Sequence, residues 1–261
     1  MEFQFKDYYR VNDLVKIVKL LRSPEGCPWD KVQTHETIRQ DFIEEVYEAV
    51  EAIDENDTEH LKEELGDVLL QVVFHSVLET EKGNFNLDDV ANDVCQKMIL
   101  RHPHVFGNVT ADTPEEVLKN WDAIKMKSKS QTAASETMKS VSRALPSLMR
   151  SEKLHKKAER GGLCPDSPEE MLEDITLQLS QLKESIAGQQ TEMYERQLGD
   201  LLFAVTGLSR VLNINSEQSL YCACDRFVER FEKMEENAKQ SGIDIQKSTP
   251  EQVKELWKKE K

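Results

Sequence analysis

Helix breakers are scarce in this 261-residue chain, with 10 glycines and 8 prolines, and no apolar run approaches the roughly 20 residues of a membrane span. The first excludes most turn-rich β architectures, and the second excludes a helical span. Cysteine is too sparse for a disulfide framework. Cys27, Cys95, Cys164, Cys222 and Cys224 are odd in number and form no C-x-x-C pair, so free thiols in a reducing compartment are expected. The first ten residues lack the charged-then-apolar order of a secretion signal, and a cytoplasmic location is expected. Basic charge is also short. Against 49 Asp and Glu stand 34 Lys and Arg, a net −15, which argues against a nucleic-acid polymer as partner because that affinity comes from neutralising phosphates. It leaves room for a small phosphate ligand, since a bound metal reverses the local sign of an acidic pocket.

What remains is Glu, Lys and Leu in long amphipathic runs, and these predict an all-α fold. Helices are expected near 11–22, 34–56, 58–82 and 87–101, and from Thr113 to about residue 126. A turn at 23–30 with two prolines and a glycine separates the first two. Gly83 offers a C-cap, Pro103 stops the fourth helix, and Thr113-Pro-Glu-Glu is a helix start. The Ser/Thr-rich, aperiodic stretch 129–142 reads as a linker between units at 1–128 and 143–261.

The chain also repeats itself. GDVL at Gly66 returns as GDLL at Gly199, 133 positions later; TPEEVLKNW, 113–121, returns as TPEQVKELW, 249–257; Cys27-Pro28 returns as Cys164-Pro165. Three matches in one order at nearly one offset indicate two copies of one helical unit.

In the first copy carboxylates fall at helical spacing on two successive helices: Glu44, Glu45 and Glu48, then Glu64 and Asp67. Acidic residues on a helix are most often a solvated face. On the second helix, Leu61, Leu65, Leu69, Val72, Val73 and Ser76 form one core stripe. The opposite stripe starts as Glu64, Asp67 and Gln71 and continues as Phe74 and Leu78. A helix apolar on nearly all sides is buried, which places Asp67 in a lined cavity, where a carboxylate needs a partner or a metal. Gly66 in mid-helix reads equally as plain helix packing or as a close approach at the site. On the preceding helix Phe42, Val46, Ala49, Val50 and Ile53 make the core face, with Glu45 flanking it and Glu48 farther round. Like charges three and four apart repel, so such a cluster makes sense with divalent cations. An all-carboxylate set suits Mg²⁺ or Mn²⁺ better than zinc.

The ordered set CPWDxxQT (27–34), EExxE, ExxD, RHPHVF (101–106) and W-x-x-I-K (121–125) resembles the MazG family of nucleoside triphosphate pyrophosphohydrolases over nearly the whole chain, tandem arrangement included. The resemblance implies an all-α NTP pyrophosphatase fold of helical bundles that dimerise. It also implies a Mg²⁺-dependent reaction converting NTP and water to NMP and pyrophosphate, with nucleotide-pool cleansing as the role. It assigns metal ligation to Glu45, Glu48, Glu64 and Asp67 and a place beside the metals to Glu44. Nucleotide contact falls to Lys97, Arg101 and Trp121. Read without the family, Lys97 and Arg101 fit a helix C-terminal dipole complement equally well, and Trp121 a core aromatic. His102 and His104 are expected to cap and turn the chain, and Trp29 and Asp30 to support the loop.

The second copy departs from the pattern. Glu44, Glu45 and Glu48 map to Leu177, Gln178 and Gln181, and Glu64 maps to Gln197; only Asp67 keeps its acid, as Asp200. Arg226, Arg230 and Trp257 persist as possible nucleotide contacts. Catalysis is therefore expected in the first copy, with the second kept for dimerisation or nucleotide sensing. The competing readings are a non-catalytic nucleotide-sensing or adaptor protein, and a narrower all-α dUTP or dCTP pyrophosphatase.

Overall fold

Several helices start where the chain supplies a cap. In the computed structural model, which describes residues 3–128, 133–163 and 167–259, α1 spans Val11–Leu21, α2 Pro28–Val32, α3 Arg39–Asp54 and α4 Thr58–Glu81. α5 follows at Leu87–Arg101, α6 at Pro103–Phe106 and α7 at Pro114–Ser128. The Asp57 carboxylate accepts from the backbone N–H groups of Glu59 and His60 at the start of α4, and Asn86 with Asp89 forms a capping box on α5. The later helices are α8 Ala134–Lys139, α9 Ser147–Arg160, α10 Pro168–Ala187, α11 Thr191–Val211, α12 Ser216–Gln240 and α13 Pro250–Lys259. Ser167 and Glu170 box the start of α10, and Asn215 caps α12. No strand occurs among the described residues, so the fold is all-α.

The chain divides into two compact units, Met1–Lys125 and Met126–Lys261. In the first, α3 packs along α4, and α1 packs on α4 as well; in the second, α10 packs along α11 and α9 on α11. The joints repeat too. Left-handed backbone occurs at Asn56 (φ 57°) between α3 and α4 and at Gln189 (φ 53°) between α10 and α11; Gly83 (φ 75°) and Asn213 (φ 56°) occupy the next joint of each unit. The repeat is thus one of backbone geometry as well as of letters. Its Cys164-Pro165 match lies outside the described residues.

Several expectations change. The helix expected over 34–56 begins only at Arg39, because Thr34 and Thr37 bond to each other across a turn, and α2 forms inside the loop expected at 23–30. Of the stretch expected as linker, 129–132 lies outside the described residues. The rest contains α8, packed on α9 with Thr137 and Val141 buried.

The larger correction concerns α4. The first unit's core is Val18, Ile38, Val73, Phe74, Val77 and Leu78. Leu65, expected inside, is 55% exposed, whereas Glu64, Gln71, Phe74 and Leu78 are buried. Val73 and Ser76 of the expected core stripe are buried as well, so α4 is buried on both stripes, covered on two sides by α1 and by α3. On α3 only Ala49 and Ala52 are buried; Val46, Val50 and Ile53, expected as core, stand open.

Candidate active site

Three carboxylates converge where α3 meets α4. One oxygen each from Glu45, Glu48 and Glu64 lies within 4.8 Å of the others. They differ in exposure: Glu64 is buried at 8%, Glu45 half-buried and Glu48 exposed. Burial pushes the pKa of Glu45 up, and the charges of Asp67, Glu48 and Glu64 add to it. Glu64 is pushed up by burial and by Glu48, with His60 opposing the shift. Asp67 lies outside the three-oxygen cluster yet close enough to raise both. Glu44 is not brought in: it is exposed and accepts from Gln40 Nε2 at 3.3 Å along α3.

Glu64 shows how the cluster is arranged. Its Oε1 meets His60 Nε2 at 3.2 Å, one helical turn earlier, while Oε2 is buried with no hydrogen-bond partner. A buried carboxylate oxygen left unpaired is unfavourable unless something else meets it. Hard oxygens, mutual repulsion and an orphaned lone pair together make a donor set that fits a divalent cation. His60 escaped the sequence reading, because a single histidine four residues before an acid belongs to no motif.

A second network stiffens the base of α4. His35 Nδ1 lies 2.7 Å from His75 Nδ1, and His35 Nε2 lies 2.6 Å from Glu79 Oε1. Lys82 and Asn84 also donate to Glu79 at 2.6 Å. Hydrogen bonds from Lys82, Asn84 and His35 hold the Glu79 pKa down at about 2. Burial and the neighbouring His35 lower that of His75. Arg22, its side chain 7% exposed, forks onto both oxygens of Glu81 at 2.8 Å and donates to the carbonyls of Asp30 and Gln33, tying the α2 loop to α4. Asp30 thus serves the loop through its backbone, and the Trp29 ring remains 58% exposed.

The expected nucleotide contacts are partly assembled. The Arg101 guanidinium sits over the Trp121 ring at 5.2 Å, and His102 meets the same ring edge-on at 4.9 Å. His102 caps α5, its Nδ1 2.6 Å from the Met98 carbonyl. Lys97 is exposed on α5, and the Lys125 side chain lies outside the described residues.

In the second unit the equivalent positions hold no carboxylate cluster among the described residues. Gln178, Gln181, Gln197 and Asp200 line a cavity of about 510 Å³ instead. Asp200 is exposed beside Arg196 at 3.7 Å. Arg230 stacks on Trp257 at 3.8 Å and donates to its carbonyl, and Arg226 is exposed; these three are not among the cavity's lining residues. The Arg–Trp stack therefore recurs without the acids. Gly66 and Gly199 have open space where a Cβ would stand, so no close approach within the chain explains either.

Comparison with known proteins places this arrangement. Residues 33–106, which carry all three clustered acids, match the MazG nucleotide pyrophosphohydrolase domain. The chain is 41% identical to the nucleoside triphosphate pyrophosphohydrolase/pyrophosphatase MazG of Thermotoga maritima, over 95% of this chain and 94% of that protein. It is 34% identical to the nucleoside triphosphate pyrophosphohydrolase of Escherichia coli K12, over 97% of both. It is 38% identical to the uncharacterized protein YabN of Bacillus subtilis, over 97% of this chain and 52% of that one. With a shared domain, near full-length similarity and the acid cluster on an all-α scaffold, the chain belongs to the MazG family.

Proposed function

We propose that the protein is a Mg²⁺-dependent nucleoside triphosphate pyrophosphohydrolase whose first unit does the chemistry, releasing NMP and pyrophosphate in the service of nucleotide-pool cleansing. The observation that carries this reading is the convergence of Glu45, Glu48 and Glu64, with Asp67 beside them and Glu64 Oε2 unpaired. Glu45, Glu48, Glu64 and Asp67 would hold the cation, which when bound supplies charge neutralisation of the triphosphate and an acidified water. The chain's own residues do the rest. His60 fixes Glu64 through Oε1 and leaves Oε2 for ligation. Glu44, which the resemblance puts beside the metals, stays outside the cluster on its bond from Gln40. Lys97 and Arg101 offer positive charge to the phosphates, and the Trp121 face, already paired with Arg101, offers a stacking plane to base or ribose. Mn²⁺ fits the same oxygen set.

A homodimer completes the site on this reading. Val46, Val50, Ile53 and Leu65 around the acids, and Val94, Met98 and Ile99 on α5, are each 41–55% exposed, an apolar surface that a second copy would cover. A cytoplasmic location fits the free cysteines, and no described helix is long and apolar enough to cross a membrane.

The test is an NTP and dNTP panel with millimolar Mg²⁺, read by product identity, with EDTA as control. NMP and pyrophosphate in equal amounts support the proposal. Release of inorganic phosphate, or binding without turnover, contradicts it and favours the sensor reading.

A further inference from the structure

The pairing of α3 with α4 holds one polar side chain that the proposed chemistry leaves unused. In the second unit Gln178, Gln181, Gln197, Asp200 and Ala204 line one groove. The left-handed joints Asn56 and Gln189 stand 133 positions apart, as do Gly66 and Gly199, so the two helix pairs share one register. Counted back by 133, the groove positions are Glu45, Glu48, Glu64, Asp67 and Gln71. Helix geometry agrees: Gln71 comes seven residues after Glu64, about two turns on, and points the same way. His75, one turn further, meets Phe42 of α3 with ring centroids 5.5 Å apart. Gln71 therefore lies on the side of α4 that faces α3, between the acids and the Phe42–His75 contact.

Gln71 is only 8% exposed, and its side chain makes no hydrogen bond among the described residues. Its amide atoms are not among the fully enclosed, unpaired ones, so they still reach open space. Burying an amide without a partner is unfavourable. Packing alone does not call for it, since alanine holds the equivalent position 204 in the copy that has also lost its acids. Amide and acids are thus kept together in one unit and absent together from the other. The surroundings narrow what the amide can meet. Asp41 adds to the upward shift of the Glu45 pKa, and its counterpart Asp174 lines the same groove as Ala204. A phosphate at this end would face that carboxylate with only a neutral amide to hold it. An amide offers one donor end and one acceptor end, and the Phe42 ring beyond it offers an apolar face. That combination suits a sugar or a base.

We propose that Gln71 is a substrate-binding residue that holds the nucleoside end of the triphosphate. The inference rests on reading the acid cluster as the phosphate end. From there the sugar and base extend along α4 toward Phe42, and the Gln71 amide hydrogen-bonds a neutral group of the nucleoside, a sugar hydroxyl or a base edge. Pyrophosphate has no such group and gains nothing from Gln71. Losing a hydrogen bond at a buried position costs about tenfold or more in affinity.

The experiment is isothermal titration calorimetry of the full chain in Mn²⁺ with ligands that do not turn over: ribo- and deoxyribonucleoside monophosphates, and pyrophosphate. Gln71→Leu keeps the volume and removes the amide; Gln71→Ala copies position 204. In both, monophosphate binding should weaken by at least about tenfold, while pyrophosphate and Mn²⁺ bind as in the wild type, showing the fold and the cation site intact. A loss confined to ribonucleotides assigns the 2′-hydroxyl, a loss that differs among bases assigns the base edge, and a uniform loss assigns the 3′-hydroxyl. The proposal is overturned if the wild type binds no monophosphate at millimolar concentration, or if Gln71→Leu binds as tightly as the wild type. It is also overturned if pyrophosphate or Mn²⁺ affinity falls in step, which would make Gln71 part of the cation site. Failure of the reaction itself would show as absent pyrophosphate release from NTP by the wild type, not in these binding ratios.

Discussion

The α3–α4 pair and the α10–α11 pair share a turn geometry and a packing partner, yet treat charge in opposite ways. In the first, Asp41 and Glu45 stand one helical turn apart and repel, adding to the upward shift of the Glu45 pKa. In the second, the corresponding Asp174 and Gln178 are joined by a hydrogen bond. Glu64 has His60 one turn before it, while Gln197 has Met193. The second pair shows that the scaffold folds without the acids. Their crowding in the first is unfavourable for the fold alone, which is the contrast that supports the proposed cation site.

Changes to this contrast should have graded effects. Glu64→Gln, which makes the first unit resemble the second, should lower turnover by at least about a hundredfold, since even a supporting residue of a metal site is worth 10–100-fold. Calorimetry with Mn²⁺ should show the high-affinity site gone while far-UV circular dichroism stays unchanged. The reverse graft, Gln178→Glu with Gln181→Glu and Gln197→Glu, should add a second Mn²⁺ site per chain; unchanged stoichiometry would mean that more than charge separates the units. His60→Ala should weaken Mn²⁺ binding by about tenfold and leave the fold intact, whereas His60→Gln, which keeps a donor, should recover part of the loss.

The smallest effect concerns stability. A depressed carboxylate pKa contributes stability above its unfolded value and loses it as pH falls through the folded one. Glu79→Gln should therefore melt below the wild type at pH 6, and the difference should shrink as pH drops from 4.5 toward about 2. A difference that persists at pH 2 would point to lost packing instead of lost charge pairing.

The first unit's helices and the repeat were legible because they depend on local signals: amphipathic period, Gly83 at a left-handed joint and Thr113-Pro114 at a helix start. Spacing put Glu44, Glu45, Glu48, Glu64 and Asp67 on two successive helices, and the structure brings oxygens of Glu45, Glu48 and Glu64 together. The wheel of α4 held at Val73 and Ser76, which are buried, as are Gln71, Phe74 and Leu78 on the other stripe; it failed at Leu65, which is exposed while Glu64 beside it is buried. His35 and His75 are 40 positions apart, and no local pattern links them. Gly66 in mid-helix read equally as plain packing or as a close approach at the site, and the space beside it and beside Gly199 is open.

The central claim is that the two halves divide their labour, with chemistry confined to the first. Steady-state pyrophosphate release by the wild type, Glu45→Gln and Asp200→Asn tests it most directly. The account predicts near-complete loss in Glu45→Gln and wild-type rates in Asp200→Asn; loss confined to Asp200→Asn would contradict it.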